Sequence, residues 1–402
     1  MAYKICDIEI SEPLPVVELS ENESGIAVLV RRENRPIWFW MESLAPGSTI
    51  SPDELALRIS AKAGAKLLND SIREELLDGF SETKFPSLTI AICTKDRPER
   101  LARCLDSLPR NVHEILVIDN APSDDRTREL IAANPHVGYI REPKPGLDFA
   151  RNRALREATG ELLAFIDDDV AVDREWLPGL IEAHRENPDA AAFTGLILPL
   201  ELSTEAQVLF EQLGGFRGGA ENGFEKIRWG KILPGYAQYP CDAGIFGAGA
   251  NMVFRRDVLL ALGGFDDALD TGAPLPGGGD LDIFYRIIRA GHAIAYEPRM
   301  LVFHEHRREL YALRKQYWSW GIGFMAFAAK SLAEKSQRKK WTRHLSWWFV
   351  KYQPKQLAKS LLGRAAPRAD MVLAEIFGAF DGLLGGYARS QRRIERIRRE
   401  FA

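Results

Sequence analysis

The segment Glu161-Leu-Leu-Ala-Phe-Ile-Asp-Asp-Asp-Val170 decides the fold of this chain, because an apolar run of strand length ends there in three consecutive carboxylates. Two earlier segments, 87–98 and 114–120, also place polar or charged residues after an apolar run. These runs are rich in Ile, Leu and Val without polar alternation, which is typical of a parallel sheet covered by helices on both faces. We therefore expect the three sets of polar residues to meet at the carboxyl edge of a doubly wound α/β sheet, where such folds bind ligands.

The three carboxylates also predict a cation. Like charges this close repel one another, so Asp167, Asp168 and Asp169 need a positive charge beside them. Carboxylate oxygens are the ligands that hard divalent cations prefer. The sequence thus predicts a site for Mg²⁺ or Mn²⁺.

Length and composition limit the class of protein. With 402 residues and 46% hydrophobic content, the chain can bury a sizeable core in two or three domains. Its 4 cysteines are scattered without a C-x-x-C spacing, which is typical of a reduced, cytosolic protein. The N-terminus lacks the apolar stretch of a signal peptide, and no run approaches the length of a membrane span. We expect a cytoplasmic protein with no transmembrane helix and no nucleic-acid partner.

Three regions follow one another along the chain. Residues 1–85 predict a small accessory α+β module, with two strands joined at Glu33-Asn34 and a helix that begins at Ser51. Residues 86–306 alternate strands with helices and contain the candidate site. Residues 307–402 predict a helical extension that is basic and rich in Trp. From His304 onward there are about 21 Lys and Arg against about 8 Asp and Glu.

The helical extension allows two interpretations. The segment Trp341-Thr-Arg-His-Leu-Ser-Trp-Trp-Phe-Val-Lys-Tyr352 places Trp and Leu beside Arg and Lys, which is the composition of an interfacial helix on a membrane surface. The same composition suits helices that pack on the catalytic domain or form a homo-oligomer. Both interpretations stay open at this point.

Several polar residues near the strand ends suit the binding of a nucleotide. Asp119, at the tip of its strand, can accept a hydrogen bond from a base or ribose edge. Thr94, Asp96 and Arg97 form the polar turn after the first strand of the sheet. Arg151 lies early in a helix that follows a glycine turn, where an arginine can face a diphosphate.

The order and spacing of four motifs resemble the inverting family-2 glycosyltransferases, which have the GT-A fold. The motifs are Thr94-x-Asp-Arg-Pro98, Val117-Ile-Asp-Asn120, Gly146-x-x-x-Ala-Arg-Asn152 and Asp167-Asp-Asp169. The resemblance covers about residues 87–306. It implies an α/β fold of the GT-A type, a doubly wound mixed sheet flanked by helices.

The second half of the resemblance concerns the acceptor. Phe246-Gly-Ala-Gly-Ala-Asn-Met-Val-Phe-Arg-Arg256 resembles the acceptor-side Gly-x-Asn-x-x-x-Arg strand of the family. Gly278-Gly-Asp-Leu-Asp282 falls where the family has Glu-Asp-x-Asp, whose first Asp is the catalytic base. By position that base is Asp280. Because Gly279 replaces the Glu of the family, the choice between Asp280 and Asp282 as base stays open.

The resemblance then implies a role for each matching residue. Asp167 faces the ribose or the metal-bound pyrophosphate, and Asp168 turns to a backbone or helix-capping contact. The expected assignments are catalytic Asp280; donor-site Thr94, Asp96, Arg97, Asp119, Arg151, Asp167 and Asp168; metal-binding Asp169 and His304; and acceptor-side Gly249, Asn251, Gly279 and Asp282.

The function implied is metal-dependent, inverting transfer of a sugar from a nucleotide-diphosphate sugar to an acceptor hydroxyl. UDP-sugar is the preferred donor because Asp119 suits uracil, with guanine and thymine carriers still open. The acceptor is a saccharide or a lipid-linked molecule, chosen by the loops at 214–223 and 266–279, in bacterial polysaccharide or glycolipid synthesis. The alternative is a catalytically inactive protein that binds a nucleotide sugar or serves as a scaffold. A nucleotidyltransferase or a nicotinamide dehydrogenase is disfavoured, since no glycine-rich loop follows the first strand of the sheet.

Overall fold

A computed structural model describes residues 2–76, 84–216, 223–233, 236, 238–269, 272, 274–363 and 366–402. Parts of the two loops that we expect to select the acceptor, at 217–222 and at 270, 271 and 273, lie outside these described residues.

The strands and helices alternate through the middle of the chain, and helices alone follow the last strand. The strands are β1 (Ala2–Glu9), β2 (Val17–Glu18), β3 (Glu23–Arg32), β4 (Arg35–Ser43), β5 (Thr49–Ile50), β6 (Leu88–Thr94), β7 (Glu114–Asn120), β8 (Gly138–Glu142), β9 (Leu162–Asp167), β10 (Val170–Val172), β11 (Ala190–Pro199), β12 (Ile227–Trp229), β13 (Asn251–Arg255) and β14 (Ala293–His304). The helices are α1 (Pro52–Leu76), α2 (Pro98–Ser107), α3 (Arg126–Ala132), α4 (Leu147–Glu157), α5 (Trp176–Glu186), α6 (Glu205–Gln212), α7 (Arg256–Ala261), α8 (Gly279–Arg289), α9 (Leu310–Ala333), α10 (Arg338–Trp347), α11 (Gln353–Leu361), α12 (Ala369–Asp381) and α13 (Tyr387–Glu400).

The central sheet is mixed. Among the described residues its strand order is β10-β14-β11-β13-β9-β6-β7-β8, and β12 also pairs with β14. Strands β6 to β9 run parallel, whereas β13 lies antiparallel between β9 and β11. Helices cover the sheet, so the expected α/β class with a mixed sheet is confirmed.

The register of the sheet brings the predicted site residues to one edge. Thr94 pairs with Asp119 across β6 and β7, and Cys93 pairs with Asp167 across β6 and β9. After the turn that follows β9, Val170 of β10 pairs with His304 at the end of β14. The three carboxylates therefore lie between the parallel half of the sheet and the antiparallel strand that carries His304.

Two apolar layers form the core on either side of the central sheet. Ile90 and Ile92 belong to one buried cluster together with Leu101 of α2. Ala91 points to the other cluster, which contains Ala154 of α4. This alternation follows from the period of two in a strand. Each fully buried Ile or Leu side chain contributes about 1.5–3 kcal/mol to the free energy of folding.

Some elements were not predicted from the sequence. All ten residues of β11 are buried, yet the sequence pattern looks irregular after residue 193. A strand buried on both faces has no polar alternation, so periodicity does not identify it. Strand β1 and the short strand β10 were also missed.

The N-terminal region has the expected α+β composition. Strand β3 lies between β1, which is parallel to it, and β4, which is antiparallel. The predicted turn is confirmed: Glu33 and Asn34 both have positive φ, at 53° and 68°, as a tight hairpin turn requires. One face of this sheet packs on Leu55 and Ile59 of α1, and the other face contributes Leu29 to the core of the central sheet.

A buried ion pair joins this N-terminal sheet to the site. Arg31 is 1% exposed, and its Nη2 atom lies 2.6 Å from Oδ2 of Asp173, directly after β10. The Nε atom of Arg31 also donates to Oδ1 of Asp7 at 2.6 Å. The N-terminal module therefore supports the segment that follows the three carboxylates, and the domain boundaries at 85 and 306 stay a prediction.

The C-terminal helices pack tightly on one another and on the core. A Cβ atom at Gly321 of α9 would lie 2.0 Å from the carbonyl oxygen of Glu375 in α12, so the two backbones touch there. Trp341 of α10 is fully buried and donates from Nε1 to the hydroxyl of Tyr285 in α8 at 2.9 Å. Part of the Trp-rich segment thus packs inside the protein, as one of the two interpretations expected.

One helical stretch in the described part of the chain, Ala369–Glu400, is long and apolar enough to cross a membrane by length and composition, with about a third of its most apolar window buried in the protein. Leu384 and Gly385 interrupt its helical conformation. A single such helix is weak evidence for a span, because core helices pass the same test.

Replacing Arg31 with methionine should destabilise the protein by about 3–5 kcal/mol, because the carboxylate of Asp173 would stay buried without its cation. Urea unfolding measures the change in free energy. Arg58→Met is the matched control: Arg58 pairs with Glu42 at the surface, so its loss should cost less than about 1 kcal/mol. Equal small losses in both variants would contradict the structural role of Arg31.

Candidate active site

The three carboxylates after β9 point to different partners. Asp168 accepts a hydrogen bond from Thr94 Oγ1 at 2.7 Å and another from Arg97 Nη1 at 3.2 Å. The Oδ1 atom of Asp169 lies 3.3 Å from the Nε2 atom of His304. Asp168 and Asp169 are each only 4% exposed. The turn thus separates like charges by giving each of these carboxylates its own cationic or polar partner.

A metal ion would fit between two of the carboxylates and the histidine. Asp167, Asp169 and His304 each offer one ligand atom, and these atoms all lie within 4.8 Å of one another. Two carboxylate oxygens and one imidazole nitrogen form a donor set that suits Mn²⁺ and also Mg²⁺. The residues present therefore fit the divalent cation that the sequence predicts.

The electrostatics of the cluster are consistent with a cation site. Burial and the charge of Asp169 raise the pKa of Asp167 to about 6, although Arg151 and His304 act in the opposite direction. Burial also acts to raise the pKa of Asp169, but the charge of His304 and its hydrogen bond outweigh it and hold that pKa well below the usual range. One of the two carboxylates is thus hard to ionise unless positive charge is added.

Two arginines at the start of α2, Arg97 directly before it and Arg100 in its first turn, lie near Asp169. Arg97 and Arg100 each place a guanidinium nitrogen 3.9 Å from Oδ2 of Asp169. Arg100 is also held by Glu305, with Nη2 2.6 Å from Oε1. The side chain of Arg97 is 47% exposed, so it can still contact an anionic ligand.

The ends of β6 and β7 form the part of the site that we expect to hold a nucleoside. Asp119 is fully buried, and its Oδ2 accepts from the hydroxyl of Tyr139 at 2.9 Å. Its Oδ1 atom has no hydrogen-bond partner among the described residues, and burial raises its pKa. Asp96 has a φ of 54° and accepts from the backbone N–H of Ser123 at 2.8 Å, so it shapes the loop.

Arg151 is placed where the charges of both Asp167 and Asp280 act on it. Its Nη1 donates to Oδ1 of Asp148 at 3.1 Å, and its guanidinium lies over the ring of Phe265, 5.3 Å from the centroid. Burial acts to lower the pKa of Arg151, but the charges of Asp148, Asp167 and Asp280 outweigh it and keep the side chain cationic. Arg151 therefore links the donor half of the site to the predicted base.

Asp280 faces Arg151 from the first turn of α8. Its Oδ2 accepts from the backbone N–H of Gly249 at 3.0 Å. A Cβ atom at Gly249 would lie 2.7 Å from Nη2 of Arg151 and 3.5 Å from Oδ2 of Asp280. Glycine at this position thus lets the guanidinium and the carboxylate approach the same backbone.

Asp282 and Asn251, which we expect on the acceptor side, are buried and make several contacts inside the protein. Asp282 is 1% exposed and is held by Arg286 Nε at 2.7 Å and by Lys330 Nζ at 2.8 Å. Asn251 is fully buried; it accepts from Trp176 Nε1 at 2.8 Å and donates to two backbone carbonyls. These contacts occupy both side chains inside the core, and the acceptor-side assignment of Asp282 and Asn251 stays a prediction.

Sequence reasoning missed some residues of the site. Asp148 is fully buried beside Arg151, and the signal was available: a carboxylate three residues before an arginine lies on the same face of a helix. Arg100 and Glu305 were also missed. Their pairing depends on β14 ending beside the start of α2, which no local pattern predicts.

A sequence model of the family described as "Glycosyl transferase family 2" matches residues 89–261. The matched part runs from β6 through β13 into α7 and includes the three carboxylates, Arg151 and Gly249. Asp280 and His304 lie beyond the matched part.

Two relatives give the scale of the similarity. The chain is 28% identical over 225 residues to the pre-mycofactocin glycosyltransferase of Mycobacterium tuberculosis, covering 56% of this chain and 43% of that protein. It is 30% identical over 253 residues to the succinoglycan biosynthesis protein ExoM of Rhizobium meliloti, covering 58% of this chain and 72% of that protein. The chain spans about half the length of the first curated relatives that it matches.

Among solved structures, a mannosyltransferase from Pyrobaculum calidifontis in complex with GDP-Man and Mn²⁺ superposes with a TM-score of 0.49. The identity is 17%, and the superposition covers 82% of this chain and 97% of that one.

Replacing Asp169 with asparagine should weaken Mn²⁺ binding at least about tenfold, since one anionic ligand of the cluster is lost. Calorimetric titration with Mn²⁺ alone measures the affinity. Glu186→Gln is the matched control: Glu182, Glu186 and Glu297 form a second acidic cluster, but Lys226 already contacts all three. Binding that depends on Glu186 and not on Asp169 would place the cation elsewhere.

Proposed function

Because the chain belongs to glycosyltransferase family 2, we propose that it transfers a hexosyl group from a nucleotide-diphosphate sugar to an acceptor hydroxyl, with a divalent metal and with inversion. The observation that carries this proposal is the juxtaposition of Asp167, Asp169 and His304 with Asp280 across a buried arginine. The side with Asp167, Asp169 and His304 can hold a diphosphate, and Asp280 on the other side of the arginine can accept a proton.

On the donor side, we propose that Asp119 binds the nucleoside and that the cationic residues bind the diphosphate. The unpartnered Oδ1 of Asp119 can accept from an N–H of a base, which supports a uracil nucleotide. Arg97 and Arg151 would orient the phosphate oxygens by charge-assisted hydrogen bonds. Asp167, Asp169 and His304 would hold Mg²⁺ or Mn²⁺, which when bound supplies positive charge to the leaving diphosphate.

On the acceptor side, Asp280 is the base that we propose. Inverting transfer needs one carboxylate to remove the proton from the attacking hydroxyl. Asp280 is half-buried and receives hydrogen bonds from two backbone N–H groups, those of Gly249 and Leu281. Asp282 is already neutralised by Arg286 and Lys330, which supports Asp280 over Asp282.

The acceptor that we propose is a saccharide or a lipid-linked molecule, in bacterial polysaccharide or glycolipid synthesis on the cytoplasmic side. The name of the ExoM relative, a succinoglycan biosynthesis protein, supports this setting. The expected homo-oligomer stays a prediction.

An inactive nucleotide-sugar-binding or scaffold protein is the second candidate, and Gly279 is the observation that favours it. The family has Glu where this chain has Gly279. Asp167, Asp169 and Asp280 are nonetheless all present, and the charges of Asp167 and Asp280 act on Arg151, which supports an active enzyme.

We further propose that the C-terminal helices contact an anionic membrane surface. Four exposed apolar residues form one face of α12 and the turn after it. They are Leu373 (40% exposed), Phe377 (64%), Phe380 (48%) and Leu384 (78%). They recur every three or four residues, so they lie along one side of the helix. Helix α11 and the segment before it pack beside α12 and carry exposed lysines at 351 and 355. Apolar side chains bordered by lysines are suited to anionic headgroups.

Replacing Asp280 with asparagine should reduce transfer by roughly 10²–10⁴-fold and leave donor binding nearly unchanged, because a base acts only in the reaction step. Release of UDP measures turnover, and calorimetric titration with UDP and Mn²⁺ measures binding. Asp282→Asn is the comparison: it should lower the melting temperature, since it breaks the contacts with Arg286 and Lys330. Near-normal turnover in Asp280→Asn would overturn the assignment of the base.

Replacing both Phe377 and Leu384 with aspartate should reduce co-sedimentation with vesicles that contain anionic lipid by several-fold, because charge replaces the most exposed apolar groups of this face. Leu57→Asp on α1, where the leucine is 72% exposed, is the matched control and should bind like the unaltered protein. Binding that is unaffected by anionic lipid content, or by the double substitution, would contradict a membrane role.

A further inference from the structure

Gly279, the first residue of α8, lies directly before the proposed base, at the position where the resemblance to the family implies a Glu. Its backbone does not explain the glycine. Gly278 has a φ of 108°, which favours glycine, but the φ of Gly279 lies outside the left-handed region. A residue with a side chain could adopt the same conformation at 279, so the glycine must have another cause.

The cause is the carboxylate of Asp148. A Cβ atom at position 279 would lie 2.1 Å from Oδ2 of Asp148, and 2.9 Å from both Cγ and Oδ1. Asp148 is fully buried on α4 and has a short side chain, so it has little room to move aside. The carboxylate from α4 thus fills the space in which a side chain at 279 would begin.

We propose that Asp148 supplies from α4 the carboxylate that the family supplies from the residue before the base, and that it acts as a positioning residue for Arg151. This inference rests on the proposed glycosyltransferase activity. On this proposal the carboxylate comes from α4 and lies against position 279, next to Asp280. Gly279 and Asp148 are then a compensated pair.

The contacts of Asp148 show what it positions. Its Oδ1 accepts from Nη1 of Arg151 at 3.1 Å, and Nη2 of Arg151 closely approaches Gly249. The N–H of Gly249 donates to Asp280. Asp148 therefore fixes one nitrogen of the guanidinium while the other stays beside Gly249. Without Asp148, Arg151 would be drawn toward Asp167 and Asp280 and would lose this position.

A simpler role would be that of an acidic residue in the first turn of a helix, where a negative charge is favourable. Asp148 is the second residue of α4, and Asp53 has the same place in α1. A general helix effect needs neither the ion pair with Arg151 nor a glycine at 279. The two roles can therefore be separated by comparing Asp148 with Asp53.

The test is an exchange of the two positions. Asp148→Ser should reduce kcat on the order of 10–100-fold, the effect expected when a catalytic group is misplaced. Gly279→Glu should also lose activity and lower the melting temperature, because it collides with Asp148. The double variant Asp148→Ser/Gly279→Glu should recover at least about tenfold in kcat over Asp148→Ser, a coupling that a double-mutant cycle measures. UDP-sugar turnover with Mn²⁺ is the readout.

Two further variants guard against simple misfolding. Asp148→Asn keeps the shape but not the charge, so it should fold, lose kcat and gain nothing from Gly279→Glu, since the amide still fills the space. Asp53→Ser should leave kcat unchanged. Thermal unfolding gives a readout without substrate: Gly279→Glu should destabilise the unaltered protein far more than it destabilises Asp148→Ser.

The outcomes are distinct. Recovery of kcat in the exchanged variant supports the relocation. Recovery of thermal stability without recovery of kcat shows that Asp148 only fills space, and it overturns the positioning role. Equal effects of Asp148→Ser and Asp53→Ser overturn it as well. If the unaltered protein turns over no UDP-, GDP- or dTDP-sugar, the proposed function fails and the relocation falls with it; if only the exchange fails, the function stands.

Discussion

Three carboxylates at the end of one buried strand repel one another, and the rest of the site depends on how that repulsion is relieved. Each aspartate after β9 meets a different opposite charge or donor. Asp168 is turned to Thr94 and Arg97, Asp169 to His304, and the charge of Arg151 acts on Asp167. The pKa of Asp167 is still raised to about 6, by burial and by the charge of Asp169, and this is the condition that a divalent cation would relieve. Burial raises the pKa of Asp168 as well.

The mixed topology is what makes this arrangement possible. In the parallel half, β6, β7 and β9 deliver side chains to one edge because their carboxyl ends meet there. His304 reaches the same edge from the opposite side, because β14 ends beside the short strand β10 that follows the carboxylates. Arg151 and Asp280 complete the site from the ends of two helices, so no single segment of the chain contains it.

The GT-A type of fold expected from the motifs is confirmed by the family to which the chain belongs and by the mixed sheet flanked by helices. Strands with a polar tip, such as β7 and β9, could be predicted because apolar runs ending in aspartates are visible locally. Strand β11 could not be predicted, since burial on both faces removes alternation. The site shows the same limit. The Asp-Asp-Asp turn is a local pattern, whereas the structural positions of Asn251 and Asp282 depend on distant partners such as Trp176 and Lys330.

The ion pair between Arg31 and Asp173 has a consequence for how the protein unfolds. Leu29 and other side chains of the N-terminal sheet belong to the same apolar cluster as the central sheet, and Arg31 neutralises a buried aspartate four residues beyond Asp169. Truncation at residue 86 would therefore expose a core face and leave Asp173, four residues beyond Asp169, without its counterion. We therefore expect the N-terminal module and the central sheet to unfold together, so that loosening the module also loosens the strand that follows the three carboxylates.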